Sequence, residues 1–237
     1  MFAVFLRIVA TVMVIAVISP VSARAEFTLR DFLFEPTKKS TRAHNVPGNT
    51  SSELQTLMEE LTFMATGKKT EMLVGHYVYC KTHPSDCKPH KEVRVVALNN
   101  YTWGLITSVN AEVNRTIQSM TDQDQYGVEE KWVYPVSGYG DCEDYVLVKR
   151  QKLAALGLPI SALLITKAVS NGEGHAILTI RTNKGDLILD SLTYKVWAWH
   201  KSPYLILARQ SPFHAGKWER VRDLRKEEAF TAVSNNR

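Results

Sequence analysis

One cysteine at the start of an apolar segment limits the folds open to this chain more than any other feature. Cys142 is followed by apolar residues at the spacing of one buried helical face. Gly157 and Pro159 then supply a stop signal. We therefore predict a helix with Cys142 in its first turn. The buried face of this helix would consist of Val146, Leu147, Leu153 and Leu156.

The position of this thiol has opposing consequences for its reactivity. Backbone N–H groups and the helix dipole favour the thiolate at a helix start, and the thiolate is the nucleophilic form of cysteine. The neighbouring carboxylates of Asp141, Glu143 and Asp144 suit a helix start but disfavour a second negative charge beside them. Cys142 is therefore either an activated nucleophile or a buried structural cysteine.

Residues 1–25 are typical of an export signal rather than of the fold. Arg7 precedes an apolar run that ends at Ile18, and Ala23-Arg24-Ala25 is a cleavage sequence of the A-x-A type. The run is shorter than the about 20 residues of a membrane span. We expect cleavage before Glu26, a periplasmic or secreted protein, and no stable membrane insertion after cleavage.

The rest of the chain is long enough for one core. Loss of the signal removes Arg7 and Arg24 and lowers the formal net charge from +5 to +3. The other basic residues are dispersed, so nucleic-acid binding is not predicted. We predict an extended polar lead-in over residues 26–50, one domain over residues 51–230, and a flexible tail over residues 231–237.

Two helices are predicted before Cys142. Apolar residues recur at helical spacing over residues 52–64 and again from residue 99 or 100 to residue 120. Asn110 and Asn114 lie one turn apart on the second helix. We predict solvated positions for both asparagines, with contact to a functional site as the alternative.

Two further cysteines lie close together in a short segment. Cys80 and Cys87 begin two C-x-x-H units that end at His83 and His90, and such a set could bind zinc. In an oxidising compartment two neighbouring cysteines more often form a disulfide. We predict the Cys80–Cys87 disulfide, with free thiols and a zinc site as alternatives. Pairing would leave Cys142 as the odd cysteine.

The segment from residue 122 to residue 133 partly matches a calcium loop. Asp122, Asp124 and Gly127 fit positions 1, 3 and 6 of an EF-hand. Tyr126 at position 5 and Val133 at position 12 do not fit, because position 12 requires a bidentate glutamate. We predict a polar turn and no EF-hand here.

The segments after the Cys142 helix predict strands and a hairpin. His175 opens one strand and Asp190 closes the next. A two-residue loop at 182–183 would place the two residues opposite each other, and a loop at 183–184 would make them diagonal neighbours on one face. In both of these registers the carboxylate can orient the imidazole, whereas a three-residue loop without a bulge would put the two residues on opposite faces. The predicted strands cover Ala162 to Ile165, Ala176 to Ile180 and Leu187 to Leu189.

The order of cysteine, histidine and aspartate, with the residues around them, resembles a known family. The similar segments are Gly140-Asp-Cys-Glu-Asp-Tyr145, Leu156-Gly-Leu-Pro159, Gly172-Glu-Gly-His-Ala176 and Gly185-Asp-Leu-Ile-Leu-Asp190. They resemble the bacterial transglutaminase-like cysteine proteinases, which include the LapG-type periplasmic proteases that cleave adhesins. The resemblance extends over roughly residues 77–211. It implies an α+β papain-like fold in which a helix with the cysteine packs on an antiparallel sheet with the histidine and aspartate.

The resemblance also implies an activity and a site. Cys142, His175 and Asp190 would be the catalytic residues of a cysteine endopeptidase, and Asp141, Glu143 and Asp144 would bind calcium. The acids have an alternative role in stabilising the helix start. No organic cofactor is expected. The expected partner is a cell-surface or periplasmic protein substrate. The resemblance also allows a membrane-bound regulator as a second partner. An acyl transferase to an amine and a catalytically silent binding protein of the same fold are the alternative functions.

Overall fold

A computed structural model describes residues 62–223 together with residues 52, 54, 55 and 225. The predicted signal segment, the lead-in and the tail lie outside these residues, as does most of the helix predicted over residues 52–64. Among the described residues no helix is long and apolar enough to cross a membrane. The helices are Val74–Thr82 (α1), Asn100–Thr116 (α2), Asp122–Tyr126 (α3) and Cys142–Ala155 (α4).

The strands form one large antiparallel sheet and a small parallel pair. The large sheet has the order β1-β9-β8-β4-β5-β6-β7, and β2 pairs with β3 alone. The strands are Thr66–Thr70 (β1), Gln118–Ser119 (β2), Tyr139–Gly140 (β3), Leu163–Ser170 (β4), Glu173–Arg181 (β5), Asp186–Leu189 (β6), Trp197–Ala198 (β7), Leu205–Ser211 (β8) and His214–Val221 (β9).

The main core lies between two helices and one face of the sheet. Helix α4 packs against β4, β5 and α2. Leu147 and Leu153 of α4 and Leu178 of β5 are at most 1% exposed within this core. Alternate residues of β5, such as Ile177, enter a second apolar cluster on the other face. The predicted α+β fold, with the cysteine helix on an antiparallel sheet, is confirmed.

Local signals explain where the site-bearing helices begin. Asn99 caps α2 through a capping box with Thr102, which satisfies two backbone N–H groups at the helix start. Helix α4 begins at Cys142 as predicted, and Gly157 follows its end with a φ of 94° that favours glycine. The predicted buried position of Leu156 is wrong, because this residue lies beyond the helix and is 49% exposed.

Two segments differ from their predicted structure. Met64 is buried but not helical, and a strand, β1, follows it where the sequence predicted the end of a helix. Strand β1 pairs with β9, 150 residues away, and this long-range pairing has no local sequence signal. The predicted polar turn at Asp122 is a short helix, α3, capped by Thr121 and ended by Gly127 at a φ of 72°.

Cys80 and Cys87 form a disulfide that joins α1 to the segment after it. The nearest imidazole is that of His76, whose ring nitrogens lie 3.7 to 3.9 Å from the sulfurs. Because the two sulfurs are bonded to each other, they are not thiolate ligands for the zinc alternative. Cys142 is the free cysteine of the chain.

Candidate active site

The Cys142 thiol lies between helix α4 and strand β5. Its side chain is half-buried, and Sγ accepts a hydrogen bond from the backbone N–H of Ala176 at 3.4 Å. The thiol in turn donates to Oε2 of Glu143 at 3.2 Å. The helix start therefore places Sγ beside the residue that directly follows His175 in the chain.

The surroundings of Cys142 oppose ionisation of the thiol. Burial raises its pKa well above the usual range, and the charge of the Glu143 carboxylate raises it further. The Ala176 N–H lowers the pKa because it stabilises negative charge on sulfur. The neighbouring acids oppose ionisation as predicted from the sequence, and burial makes the largest contribution.

His175 and Asp190 meet at the mouth of the β5–β6 hairpin. Nε2 of His175 lies 2.7 Å from Oδ1 of Asp190. The strands pair Leu178 with Leu189 and Arg181 with Asp186, which is the diagonal register predicted for a loop at residues 183–184. In this register the side chains of His175 and Asp190 share a face because side chains alternate along a strand.

Asp190 is fully buried, and its carboxylate has a second donor. The Tyr204 hydroxyl donates to Oδ2, while Oδ1 accepts from His175. Burial alone would raise the pKa of Asp190, but the hydrogen bonds from His175 and Tyr204 outweigh it and hold this pKa below its usual value. Asp190 is therefore an anion at neutral pH.

The main chain of Asp190 is held from two helices. Its carbonyl oxygen accepts from Nζ of Lys149 at 2.6 Å and from Nδ2 of Asn114 at 2.9 Å. Asn114 and Asn110 also donate to the carbonyl of Thr193, at 2.9 and 3.4 Å. The predicted solvated position is therefore wrong for Asn110, which is fully buried, and Asn114 is half-buried. Both hold the loop after β6.

Three carboxylates converge beside the cysteine. One oxygen from each of Asp122, Asp141 and Glu143 lies within 4.8 Å of the others. Asp122 was predicted only as part of an EF-hand-like pattern, but helix α3 brings it to the start of α4. Asp144, the third acid of the predicted calcium set, is instead fully buried and accepts the Val133 N–H on Oδ1 at 2.9 Å.

The negative charges of these carboxylates are only partly balanced by hydrogen bonds. Burial, followed by the charge of Asp141, raises the pKa of Glu143 to about 9. Burial is also the largest cause that raises the pKa of Asp144 to about 8, and the charge of Asp141 contributes to this rise. Burial, followed by Asp141, also raises the pKa of Asp122. Oδ1 of Asp141 and Oδ2 of Asp144 are buried without a hydrogen-bond partner. Such a set fits a divalent cation that binds oxygen ligands.

A glycine before the cysteine allows this crowding. A Cβ at Gly140 would lie 2.6 Å from Oδ2 of Asp144 and 3.1 Å from Cβ of Pro135. The absence of a side chain therefore lets Asp144 pack against the main chain of β3. This contact explains why a glycine precedes Asp141 and Cys142 in the segment singled out from the sequence.

The fold and this arrangement are those of a transglutaminase-like cysteine peptidase, in which a cysteine at a helix start lies beside a strand whose histidine is hydrogen-bonded to an aspartate after the next strand. The sequence comparison agrees, because the family model described as bacterial transglutaminase-like cysteine proteinase BTLCP matches residues 66–226. The chain belongs to this family. No curated protein sequence matches it significantly.

Solved structures of LapG from Legionella pneumophila are similar to the chain. The calcium-bound form is 27% identical, with 46% of this chain and 72% of LapG covered at a TM-score of 0.40. The EGTA-treated form is 29% identical, with 46% and 62% covered at a TM-score of 0.40. A third LapG structure is 26% identical, with 57% and 78% covered at a TM-score of 0.44.

Proposed function

We propose that this peptidase is an exported endopeptidase whose catalytic residues are Cys142, His175 and Asp190. The observation that carries the proposal is the 2.7 Å contact between His175 and Asp190 next to a strand amide that donates to the Cys142 sulfur. The proposed substrate is a protein of the cell envelope or cell surface, since residues 1–25 predict export. Processing of an adhesin, as in LapG-type members, is the most specific form of this proposal.

In the proposed mechanism, each proton transfer belongs to a particular atom. Because Nε2 of His175 faces Asp190, Nδ1 accepts the thiol proton. The thiolate Sγ then attacks the peptide carbonyl carbon, and His175 returns the proton to the amine that leaves. Water attacks the resulting thioester, gives a proton to His175, and releases the acid and the thiol. Asp190 holds the tautomer with a proton on Nε2 and stabilises the imidazolium.

The negative charge that develops on the substrate carbonyl oxygen must be stabilised by hydrogen-bond donors. The backbone N–H of Cys142 lies at the start of α4, where N–H groups have no partner within the helix. We assign it as one donor to this oxygen. The Ala176 N–H stabilises the thiolate before the attack.

We also propose a calcium site at Asp122, Asp141 and Glu143. The three oxygens within 4.8 Å and the unpartnered Oδ2 of the fully buried Asp144 support it. Carboxylate oxygens are the ligands that calcium prefers, and an exported protein meets this ion. When bound, the cation supplies positive charge that lowers the pKa of the Cys142 thiol.

The proposed triad predicts effects on turnover that do not add. Cys142→Ala should abolish cleavage of a quenched fluorescent peptide selected with the native enzyme. His175→Ala should lower kcat by about 100-fold or more with little change in KM, because proton transfer occurs in the transition state. A Cys142→Ala, His175→Ala double variant should be no worse than Cys142→Ala alone, because the base has no role once the nucleophile is gone. His83→Ala, at another half-buried histidine, is the control.

Two results would refute the triad. One is full activity of Cys142→Ala, and the other is a double variant whose losses multiply, since that would show independent roles. The same assay with an added primary amine distinguishes hydrolysis from acyl transfer. Formation of the amide product instead of the free acid would identify a transferase.

A further inference from the structure

We propose that Tyr204, Lys149 and Asn114 are positioning residues that hold Asp190 in the orientation that the reaction needs. Tyr204 holds the carboxylate, and Lys149 and Asn114 hold the main-chain carbonyl. The inference rests on the proposed triad. Tyr204 and Lys149 had no predicted role in the reaction, whereas for Asn114 contact with a functional site was the predicted alternative.

Asp190 needs such support because of its place in the fold. Strand β6 ends at Leu189, so the sheet does not fix the residue that follows. Asp190 nevertheless accepts hydrogen bonds at its side chain and at its main chain. The acceptors are Oδ1, Oδ2 and the carbonyl oxygen. Their donors come from β5, from the segment before β8, and from helices α4 and α2. The aspartate is therefore fixed by four separate parts of the fold.

Tyr204 controls the plane of the carboxylate. Its hydroxyl donates to Oδ2, and its ring centroid lies 5.5 Å from that of His175. The residue is 5% exposed and belongs to the apolar cluster on the second face of the sheet, so its position is set by packing. With Oδ2 held, Oδ1 stays in the direction of Nε2. Loss of the hydroxyl would let the carboxylate rotate away from the imidazole.

Lys149 is an unusual residue for a helix interior. Its side chain is completely buried, and its ammonium nitrogen donates to the Asp190 carbonyl at 2.6 Å and lies 5.9 Å from the Tyr145 ring centroid. Burying a lysine is unfavourable unless its charge or its donors are used. Here the donors are used on the residue that orients His175. Helix α4 therefore carries Cys142 at its start and, two turns later, the Lys149 side chain that contacts Asp190.

The chain offers a matched control for the Tyr204 contact and another for the Lys149 contact. The Tyr79 hydroxyl donates to the Asp86 carboxylate at 2.6 Å in a buried setting away from Asp190. Lys152, one turn after Lys149, is buried and pairs with Glu112 at 3.0 Å. Tyr79→Phe and Lys152→Met therefore remove the same groups as Tyr204→Phe and Lys149→Met.

The test compares kcat, KM and one NMR signal in these four variants. Tyr204→Phe and Lys149→Met should lower kcat by about 10-fold or more at nearly constant KM, as expected for loss of one hydrogen bond that involves a charged group. The downfield proton between Nε2 of His175 and Asp190 should shift or broaden in both. Tyr79→Phe and Lys152→Met should keep kcat within about twofold and leave the proton signal unchanged.

A double-mutant cycle with Asp190→Asn distinguishes failure of the proposed triad from failure of this inference alone. If Tyr204 acts through Asp190, adding Tyr204→Phe to Asp190→Asn should cause no further loss. An Asp190→Asn variant with full turnover would refute the triad and this inference together. A severe Asp190→Asn variant beside a Tyr204→Phe variant with native kcat and an unchanged proton signal would refute this inference alone. Should Tyr204→Phe fail to fold, Lys149→Met and its control decide by the same two readouts.

Discussion

His76 shows how burial changes the behaviour of one titratable residue. The imidazole is 1% exposed, and its Nδ1 accepts from Nε1 of Trp218 at 3.2 Å. Burial, followed by the charge of Arg150, lowers the pKa of His76 from 6.5 to about 4. The folded protein therefore keeps this histidine neutral over a range in which the unfolded chain binds a proton.

We predict that His76 makes the fold sensitive to acid. Between pH 6.5 and about pH 4 the unfolded chain binds one more proton than the folded protein, so the free energy of unfolding falls as the pH falls. Its contribution is complete above pH 6.5 and is lost by about pH 4, with a total on the order of 3 kcal/mol at 1.36 kcal/mol per pKa unit. In His76→Asn, which keeps an acceptor for Trp218, urea unfolding should show a flatter pH dependence over this range.

The matched variant for this prediction is Trp218→Phe. It removes the donor to Nδ1 but keeps the buried imidazole, so it should lose stability and retain the acid dependence. An identical pH dependence in His76→Asn and the native protein would show that the histidine is not the source.

At the scale of elements, the disulfide joins α1 to the short segment that follows it. Cys80 and Cys87 are separated by seven positions, and closing so short a loop stabilises a fold by about 2 kcal/mol in the chain-entropy model. We predict that Cys80→Ser, Cys87→Ser lowers the free energy of unfolding by about this amount. A reductant should produce the same loss in the native protein and none in the double variant, as measured by urea unfolding. Equal stability of all four samples would contradict the prediction.

Helix α4 differs from its sequence pattern in a way that matters for the site. The pattern predicted one buried face, whereas all residues from Glu143 to Arg150 are buried. Helix α2 and the sheet cover it from different sides, so its polar residues also need partners inside the protein. Nε of Arg150 donates to the Leu163 carbonyl at 2.9 Å, and Lys149 donates to Asp190. Burial therefore makes the helix a rigid support for the cysteine.

For the whole molecule, calcium binding at the proposed carboxylate site should raise the free energy of unfolding. A ligand that binds only the folded protein stabilises it by about 2.7 kcal/mol at a hundredfold excess over its Kd. We predict that calcium raises the Tm, that a chelator reverses the rise, and that Asp122→Asn reduces it together with the calcium affinity measured by calorimetry. Asp124→Asn is the control, because this exposed carboxylate of the same short helix accepts from Thr121 instead.

The outcome that would contradict the calcium site is also clear. Equal calcium affinities for the native protein and Asp122→Asn would remove Asp122 from the site. Absence of any calorimetric signal with the native protein would leave the three carboxylates as a cluster without a cation.

Export is the other prediction for the whole chain. When the complete chain is expressed in a bacterial host, the mature protein should begin at Glu26, because signal cleavage follows the A-x-A sequence at residues 23–25. Intact mass and N-terminal sequencing measure this start. Ala25→Arg should prevent cleavage, since the site requires small residues. A soluble product that retains residues 1–25 would contradict the prediction.

Local signals in the sequence determined the start of α4 at Cys142 and the pairing partners in the Cys80–Cys87 segment, and they limited the register of the β5–β6 hairpin to a few alternatives that depend on its loop. Each depends on residues close together in the chain, through helix stop signals, the twofold alternation of a strand, or a short loop. Local rules act over a few residues and so transfer from sequence to structure. The same rules brought His175 and Asp190 to one face.

Only the tertiary structure decided which distant residues complete the site. Asp122 joins Asp141 because α3 folds back on the start of α4, and Tyr204 reaches Asp190 from across the sheet. The burial of Asn110 and Lys149 likewise follows from the packing of α2 and α4 against the loop after β6. A polar residue in a helix has the same local pattern whether it faces water or a buried carbonyl. Long-range packing alone distinguishes the two, because it determines which backbone groups lose their water and need another partner.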